Sequence, residues 1–428
     1  MDVLQQYHGR AVEELAIKFE FDTLLVDHLN NWVGFAASSY TKFLALDLIP
    51  RGLEAFDDPQ YIFPLQLFDR RSINYLQQVH LRFVCIKLPT QFSGFPKLQK
   101  LDLHKVKITA KDFQDMLSIC CALEWLSIVF CKMDGELKVH SPLPCLVHLN
   151  VEFCEITKME LCAVKLRTFV YEGSAVPIKF REVSELENAK VLLCGVTFGD
   201  VIPALANVLT NVQNLTLNFF VHPPKVPCLM ENRCKFSHLR HLQLLLSYKL
   251  DVDNLSLVPF LGSAPFIEKL EIHFSSIFGF FYLGASIKRF EYRHNYLKDI
   301  CITGFKASNG QIEFLVHIVE NTPTLEILTV DQSDRVMKND PMLIKMEVAK
   351  YMDEVVYGNI RRYVEATEKV TNMGDITSLK HALSKLDNLM AKMTLVEALP
   401  PFWWHSQAQT LRSQAVTLQK PKHFVVLS

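Results

Sequence analysis

Two segments of the chain share one pattern of apolar positions. Residues 123–133 and 146–156 each carry apolar side chains at the first, fourth, sixth and eleventh positions and a cysteine at the ninth. Residues 98–108 follow the same pattern, with Val106 at the cysteine position. Apolar residues that alternate with polar ones predict a short strand with one buried side. A cysteine where the chain leaves such a strand can bond backbone groups at the turn.

The triplet at the first, fourth and sixth positions recurs along most of the chain. Successive triplets from Leu98 onward begin 20 to 30 residues apart, which is close to the spacing of leucine-rich repeats. One unit cannot bury its own apolar side, so such units stack and pair their strands in parallel. The triplets begin at Leu98, Leu123, Leu146, Leu166, Leu186, Val212, Leu239, Ile267, Leu297 and Leu325, with weaker ones at Val12/Leu15/Ile17, Thr41/Leu44/Leu46 and Leu81/Val84/Ile86.

The segments between the triplets predict helices in several units. Thr109 precedes apolar residues at helical spacing up to Cys120, and Asn309 precedes a similar series that ends before Pro323. We therefore predict an α/β fold, a leucine-rich-repeat solenoid over residues 1–335. It is expected to be a curved horseshoe with a parallel sheet on the concave face and helices on the convex face.

The repeat pattern ends near residue 335. Residues 336–428 are predicted to form a helical C-terminal extension that is partly disordered. Within it, residues 378–393 carry apolar positions in alternating steps of four and three, which is typical of a short heptad seam. A cap on the solenoid and a self-association helix both fit this pattern, and the cap is favoured.

The balance of charged residues argues against nucleic acid and membrane surfaces as partners. The chain has 45 Lys plus Arg against 46 Asp plus Glu, so it has no electrostatic signature of nucleic-acid or membrane-surface binding. The N-terminus resembles no secretory signal, and no apolar stretch is long enough to cross a membrane. The 11 cysteines lie mostly in apolar segments, which is typical of reduced thiols. These features predict a cytoplasmic or nuclear protein.

Motifs that carry chemistry are not found. The sequence lacks the glycine-rich phosphate loops, the zinc-protease helix and the nucleophile elbow, so neither an enzyme nor a cofactor is predicted. One group of potential zinc ligands, His222, Cys228, Cys234 and His238, lies within 17 residues. It lacks a pair of cysteines at knuckle spacing, and an ordinary loop between repeats is the favoured interpretation over a metal site.

The outward strand positions are the candidates for function. In a solenoid these side chains line the concave face, where a protein partner can be bound over a long path. Trp125 is the candidate aromatic anchor, although it could instead cover its strand neighbours. The predicted partner-binding residues are Lys100, Asp102, His104, Trp125, Ser127, His148, Asn150, Glu152, His241 and Gln243.

Three passages resemble the plant F-box/FBD/leucine-rich-repeat protein family. Residues 28–50 resemble that family's entry into its repeats, and residues 83–156, with FPKLQKLDLHKVKIT and CCALEWLSIVFCKM, resemble its central units. Residues 297–330 resemble its FBD signature, through Leu297-Lys298-Asp299, Gly304-Phe305, Gln311–Leu315 and Asn321–Glu326. The FBD-like region is expected over about 290–335.

The resemblance implies a protein-binding scaffold, the substrate-recognition subunit of an F-box type cullin ubiquitin ligase. An F-box is a helical module that binds a Skp-type adaptor. The sequence before the first repeat is too short for this module, so the F-box is expected to be missing here. A Skp-type adaptor and a cullin are therefore implied only if an F-box lies upstream. The alternative is a stand-alone repeat protein without a ubiquitin role.

Overall fold

The structure is a computed structural model. It describes residues 12–50, 59–90, 92, 94–194, 205, 208–221, 236–248, 257–276, 292–305, 309–331 and 424–426. The chain divides into two compact units. Unit 1 contains residues 1–195 and 207–212, and unit 2 contains residues 196–206 and 213–428.

Unit 1 is built on a parallel main sheet. Each strand pairs with the strand of the next repeat, so the order along the sheet follows the order along the chain. This is the arrangement that the recurring triplets predict. The strands of this sheet are β1 (Glu14–Lys18), β2 (Phe43–Asp47), β4 (Gln78–Arg82), β6 (Lys100–His104), β7 (Trp125–Val129), β9 (His148–Glu152), β11 (Thr168–Ser174) and β13 (Asn188–Cys194).

The triplets form rows of buried side chains beneath this sheet. Leu101, Leu126 and Leu149 are in register on neighbouring strands, and each is 1% exposed or less. The third residues of the same triplets, Leu103 and Ile128, form a second row. Fully burying one such side chain stabilises a fold by roughly 2 kcal/mol, so these rows are the core of the unit.

The return segments of unit 1 include both helices and strands. In the described part of unit 1 the α-helices are α1 (Val26–Ser38) and α2 (Ala110–Leu117), and short 3-10 helices occur at Thr23–Leu25, Leu65–Leu67 and Ser72–Asn74. In three consecutive units the chain returns instead as a strand, and β8 (Lys132–Lys138), β10 (Glu155–Cys162) and β12 (Ile178–Arg181) form a second parallel sheet. A further pair joins β3 (Tyr61–Ile62) to β5 (Val84–Cys85). The second half of β10 alternates buried and half-buried positions, which suits a strand better than a helix.

The predicted helix after residue 109 is confirmed. Thr109 caps α2, since its hydroxyl accepts a hydrogen bond of 3.0 Å from the backbone N–H of Asp112. Phe113, Met116 and Leu117 are buried on its inner side. The expected bonding of the ninth-position cysteine to backbone groups is confirmed as well. The thiol of Cys131 lies 3.5 Å from the carbonyl oxygen of Leu103, one repeat earlier.

Unit 2 continues the same plan with longer strands. Its parallel sheet is formed by β14 (Asn214–Val221), β15 (His241–Tyr248), β16 (Lys269–Ser276), β17 (Asp299–Thr303), β18 (Ile327–Val330) and β19 (Phe424–Val426). The helices described here are α3 (Leu257–Gly262) and α4 (Asn309–Asn321). Helix α4 confirms the helix predicted between Asn309 and Pro323. Residues 332–423, which hold most of the predicted C-terminal extension, lie outside the described residues.

One predicted triplet is wrong in its register. We expected Leu81, Val84 and Ile86 to form a unit, but the strand is Gln78–Arg82, and its inward residues are Val79 and Leu81. Val84 belongs instead to the return strand β5. The two patterns share Leu81, and all of these aliphatic residues are buried, so the apolar pattern alone could not separate them.

Gly304 follows β17 at a point where only glycine fits. Its φ is +66°, and an added Cβ would lie 1.9 Å from the carbonyl oxygen of Phe274. Other residues that follow strands of the main sheet, such as Lys105 and Phe130, also have positive φ. The chain therefore leaves several strands through a residue with left-handed backbone. At Gly304 the backbone also lies close to the backbone of Phe274 in the previous repeat.

Replacing Gly304 by alanine is expected to destabilise unit 2. The left-handed backbone and the clash with Phe274 act together, so Gly304→Ala should lower the free energy of unfolding by more than about 2 kcal/mol. The matched control is Gly34→Ala in α1, where the added Cβ meets only Leu67 at 3.8 Å. It should be neutral or stabilising by about 0.5–1 kcal/mol. Urea unfolding of both variants measures the difference, and equal effects would contradict the clash.

Two buried histidines in unit 2 predict acid sensitivity. Burial lowers the pKa of His294 and of His317 to about 4, because the folded chain disfavours the protonated, charged form of each imidazole. The unfolded chain takes up protons first, so stability is complete above about pH 6.5 and falls as the pH drops toward 4. The loss is at most about 3 kcal/mol for each histidine.

Urea midpoints measured between pH 7.5 and 4.5 test this acid sensitivity. His317→Gln should flatten the dependence of the midpoint on pH. His238→Gln, at an exposed position of the same unit, should leave the slope unchanged. A slope that is the same in wild type and in His317→Gln would refute the assignment.

Candidate functional site

The side of each main sheet that faces away from the buried rows is called here the open face. In β6 and β9 the residues between the buried leucines and valine point to this face and are half-buried. All ten predicted partner-binding residues occupy the outward positions of their strands, although Ser127 is itself buried. Eight of them lie on the neighbouring strands β6, β7 and β9 of unit 1, and His241 and Gln243 lie on β15 of unit 2.

Trp125 is the centre of a stacked row on unit 1. It is in register with Lys100 on one side and with His148 on the other. The ammonium of Lys100 lies 5.1 Å from the centre of the indole ring, and the imidazole of His148 stacks on that ring at 3.5 Å and 12°. Trp125 covers its neighbours in this way and still keeps 39% of its surface exposed. Both expected roles of Trp125 are therefore compatible.

A polar row follows the aromatic one. Asp102, Ser127 and Asn150 are in register across the same three strands. The amide of Asn150 donates a hydrogen bond of 3.3 Å to the hydroxyl of Ser127. The carboxylate of Asp102 lies 3.9 Å from the imidazole of His80. Partly satisfied polar groups of this kind can bond a partner that lies along the row.

The far ends of the strands carry a second aromatic row. His104 and Phe130 lie with ring centres 5.9 Å apart, and Phe130 stacks on Phe153 at 5.1 Å. Both phenylalanines are more than a third exposed. They directly follow β7 and β9 and have positive φ, so they lie outside the period-two pattern that identified the other residues. The sequence pattern did not single them out, although each directly precedes the ninth-position cysteine of its repeat, which is a usable signal.

Burial keeps the histidines of this face neutral. It lowers the pKa of His80, His104 and His148, and nearby lysine or arginine charges lower it further. Each imidazole therefore presents one donor and one acceptor near neutral pH. The face of unit 1 thus combines two aromatic rows with a polar row between them, and its fixed charges have both signs.

The open face of unit 2 carries a network around Glu271. The carboxylate accepts a hydrogen bond of 3.1 Å from the amide of Gln243, and it lies within 3.4 Å of His241 and His273. Lys269 pairs with it at 2.5 Å. Hydrogen bonds from the two histidines hold the pKa of Glu271 well below its usual range. His241 and Gln243 belong to the predicted partner-binding set. Glu271 and His273 occupy outward strand positions that the same pattern predicts, and the structure supplies their contacts.

No metal site is found among the described residues. Within that part of the chain, no group of three or more His, Cys, Asp or Glu has the geometry of an ion site. Of the four potential zinc ligands, His222, Cys228 and Cys234 lie outside the described residues, and His238 is exposed. No helix in the described ranges is long and apolar enough to cross a membrane.

Comparison with known proteins identifies the repeats. The profile of a protein family described as "At1g61320/AtMIF1, LRR domain" matches residues 3–372. The chain is 22% identical to the F-box/FBD/LRR-repeat protein At1g13570 of Arabidopsis thaliana, over 71% of this chain and 69% of that protein. The F-box/LRR-repeat protein At3g03360 of the same plant is 27% identical, over 57% and 52%. The FBD-associated F-box protein At1g61320, also from Arabidopsis thaliana, is 21% identical, over 73% and 71%.

These comparisons confirm two predictions. The predicted α/β leucine-rich-repeat solenoid agrees with the leucine-rich-repeat domain of the matched family. The predicted resemblance to plant F-box/FBD/leucine-rich-repeat proteins agrees with the names of the similar Arabidopsis thaliana proteins. The chain spans between about half and seven tenths of the length of those relatives. No solved structure matches the chain.

Glu271→Gln is expected to weaken the network of unit 2. An amide is uncharged and cannot accept at both of its ends as a carboxylate does. The contacts with Lys269 and the two histidines should therefore weaken, and the free energy of unfolding at pH 7 should fall by about 1–3 kcal/mol. The control is Glu268→Gln, since Glu268 is half exposed and pairs with Arg240 at 3.8 Å; its effect should stay below about 0.5 kcal/mol. Chemical unfolding compares the two variants. Losses of equal size would show that Glu271 is not the centre of the network.

Proposed function

Because this chain belongs to the At1g61320/AtMIF1 leucine-rich-repeat domain family, we propose that it is a non-catalytic scaffold whose open face binds a protein partner. The observation that carries the proposal is the exposed row of Lys100, Trp125 and His148. A large, half-exposed aromatic ring that its neighbours hold rigid is the usual centre of a protein interface. The remaining predicted residues on β6, β7 and β9 would form the polar surroundings of that anchor.

The finer proposal is a role in substrate recognition. The similar Arabidopsis thaliana proteins carry F-box in their names, and F-box proteins connect a bound protein to a Skp-type adaptor and a cullin. We propose that the chain selects the protein to be ubiquitinated when an F-box accompanies it. The alternative is a stand-alone repeat protein that binds the same partner without a ubiquitin ligase.

Trp125→Ala is expected to weaken partner binding by at least about tenfold, since the loss of a central aromatic anchor typically costs 2 kcal/mol or more. The measurement is affinity isolation with the tagged full chain from plant extract, followed by titration of the recovered partner. Tyr75→Ala is the matched control. Tyr75 is 49% exposed and its ring contacts the tilted ring of Tyr40 with the centres 5.1 Å apart, yet it lies outside the strands of the main sheet.

The outcomes of this experiment separate the two roles. Equal affinities for wild type and Trp125→Ala would reject the open face of unit 1 as the binding surface. An F-box encoded in frame upstream, together with recovery of a Skp-type protein and a cullin by that longer chain, supports the ligase role. The absence of that F-box or of those two proteins, while the partner is retained with a Trp125-dependent affinity, supports the stand-alone alternative.

A further inference from the structure

A cavity of about 540 Å³ opens in unit 1 beside the second aromatic row. It lies where β9 and β11 end and where β8 and β10 begin, so it is separate from the row of Trp125. Met133, Phe153 and Ile156 form its apolar part, and Asp134 and Glu155 add two carboxylates. The remaining lining residues are Gly135, Cys154, Thr157, Gly173 and Ser174.

Two irregularities in strand pairing create this space. Glu155 pairs with Lys132 and the next residue, Ile156, pairs with Gly135, so Met133 and Asp134 have no counterpart on β10. Thr157 is then left without a counterpart on β8. Bulges of this kind bend a strand and redirect its side chains, and they are frequent at binding sites. Here the residues at the two bulges line the cavity together with residues at the ends of β9 and β11.

The walls of the cavity are held rigidly. The backbone N–H of Phe153 donates to the carbonyl oxygen of Glu172, and its ring stacks on Phe130. The hydroxyl of Tyr171 donates to the carbonyl oxygen of Ser174 at 2.7 Å. The thiol of Cys154 is engaged with the carbonyl oxygens of Ile128 and Glu152, each at 3.4 Å. A ligand would therefore meet a shape that already exists, which lowers the entropic cost of binding.

The charged side chains that line the cavity are both acidic. Asp134 and Glu155 are exposed, and neither forms an ion pair with a residue in the described ranges. None of the residues that line the cavity is basic. Met133 and Ile156 are nearly fully buried and form an apolar floor, while the exposed ring of Phe153 forms a wall.

We propose that this cavity accepts an arginine side chain of the bound protein. The aliphatic part of arginine would contact Met133 and Ile156, and the planar guanidinium would stack on Phe153 and donate to the two carboxylates. Arginine fits better than lysine because a planar guanidinium can stack and form paired hydrogen bonds at the same time. The inference rests on the proposed protein-binding role, but it concerns a site away from Trp125.

A short peptide with a single arginine tests the proposal on the full chain. The probe is acetyl-Gly-Ala-Arg-Ala-Gly-amide, compared with the same peptide carrying citrulline, which is nearly the same shape but neutral, or lysine. Ligand-observed NMR titration gives the dissociation constants. We expect arginine to bind at least fivefold more tightly than citrulline and at least twofold more tightly than lysine, and to bind less tightly as NaCl is raised.

Variants place the binding in the cavity. Asp134→Asn with Glu155→Gln should weaken arginine binding at least fivefold and remove the preference over citrulline. The matched control is Glu124→Gln with Glu187→Gln, two exposed carboxylates of the same unit that do not line the cavity; it should bind as wild type does. Circular dichroism and thermal unfolding check that both double variants are folded.

The results distinguish this inference from the proposed function. Equal binding of the arginine and citrulline peptides, or unchanged binding in the cavity variant, overturns the arginine site and leaves the role of Trp125 untouched. Trp125→Ala should leave the peptide affinity as it is. If the partner affinity does not depend on Trp125 while the peptide still requires Asp134 and Glu155, the open-face proposal fails and the cavity remains.

Discussion

An isolated strand of five residues leaves its apolar side chains and both backbone edges exposed, so every unit of this chain depends on its neighbours. Burying one leucine contributes roughly 2 kcal/mol, whereas ordering one residue of backbone costs about 1–2 kcal/mol. Two or three inward side chains cannot offset the ordering of a strand and its return segment. Leu101, Leu126 and Leu149 become stabilising because they meet in one buried row, in which each covers the next.

The same constraint decides where function can lie. Period-two alternation forces the residues between the buried leucines onto the open face, and parallel register places equivalent positions side by side. Lys100, Trp125 and His148 meet for this reason, although they lie 23 or more residues apart in the chain. In unit 2 the same register brings Gln243 to Glu271. A solenoid therefore assembles an extended surface of adjacent side chains from residues that need no local sequence motif.

This explains how much the sequence alone could predict. Strands, parallel order and the facing of Trp125 follow from periodicity, and α2 follows from its cap at Thr109. The register near Leu81 could not be predicted from periodicity, because the aliphatic residues of β4 and those of the adjacent β5 are all buried. The network around Glu271 was also out of reach, since it depends on side-chain contacts among separate repeats rather than on spacing within one.

The return segments differ from the strands because stacking constrains them less. A return segment has only to cover the buried rows, and helix α2 and strands β8 and β10 both do so. A strand that pairs imperfectly can keep its inner side chains buried, as Met133 and Ile156 do, while its bulge exposes polar neighbours. Irregularity is therefore tolerated on this side of the unit and excluded from the main sheet. For this reason the cavity beside Phe153 occurs among the return strands. Polar side chains can be changed there without disturbing the stacked core.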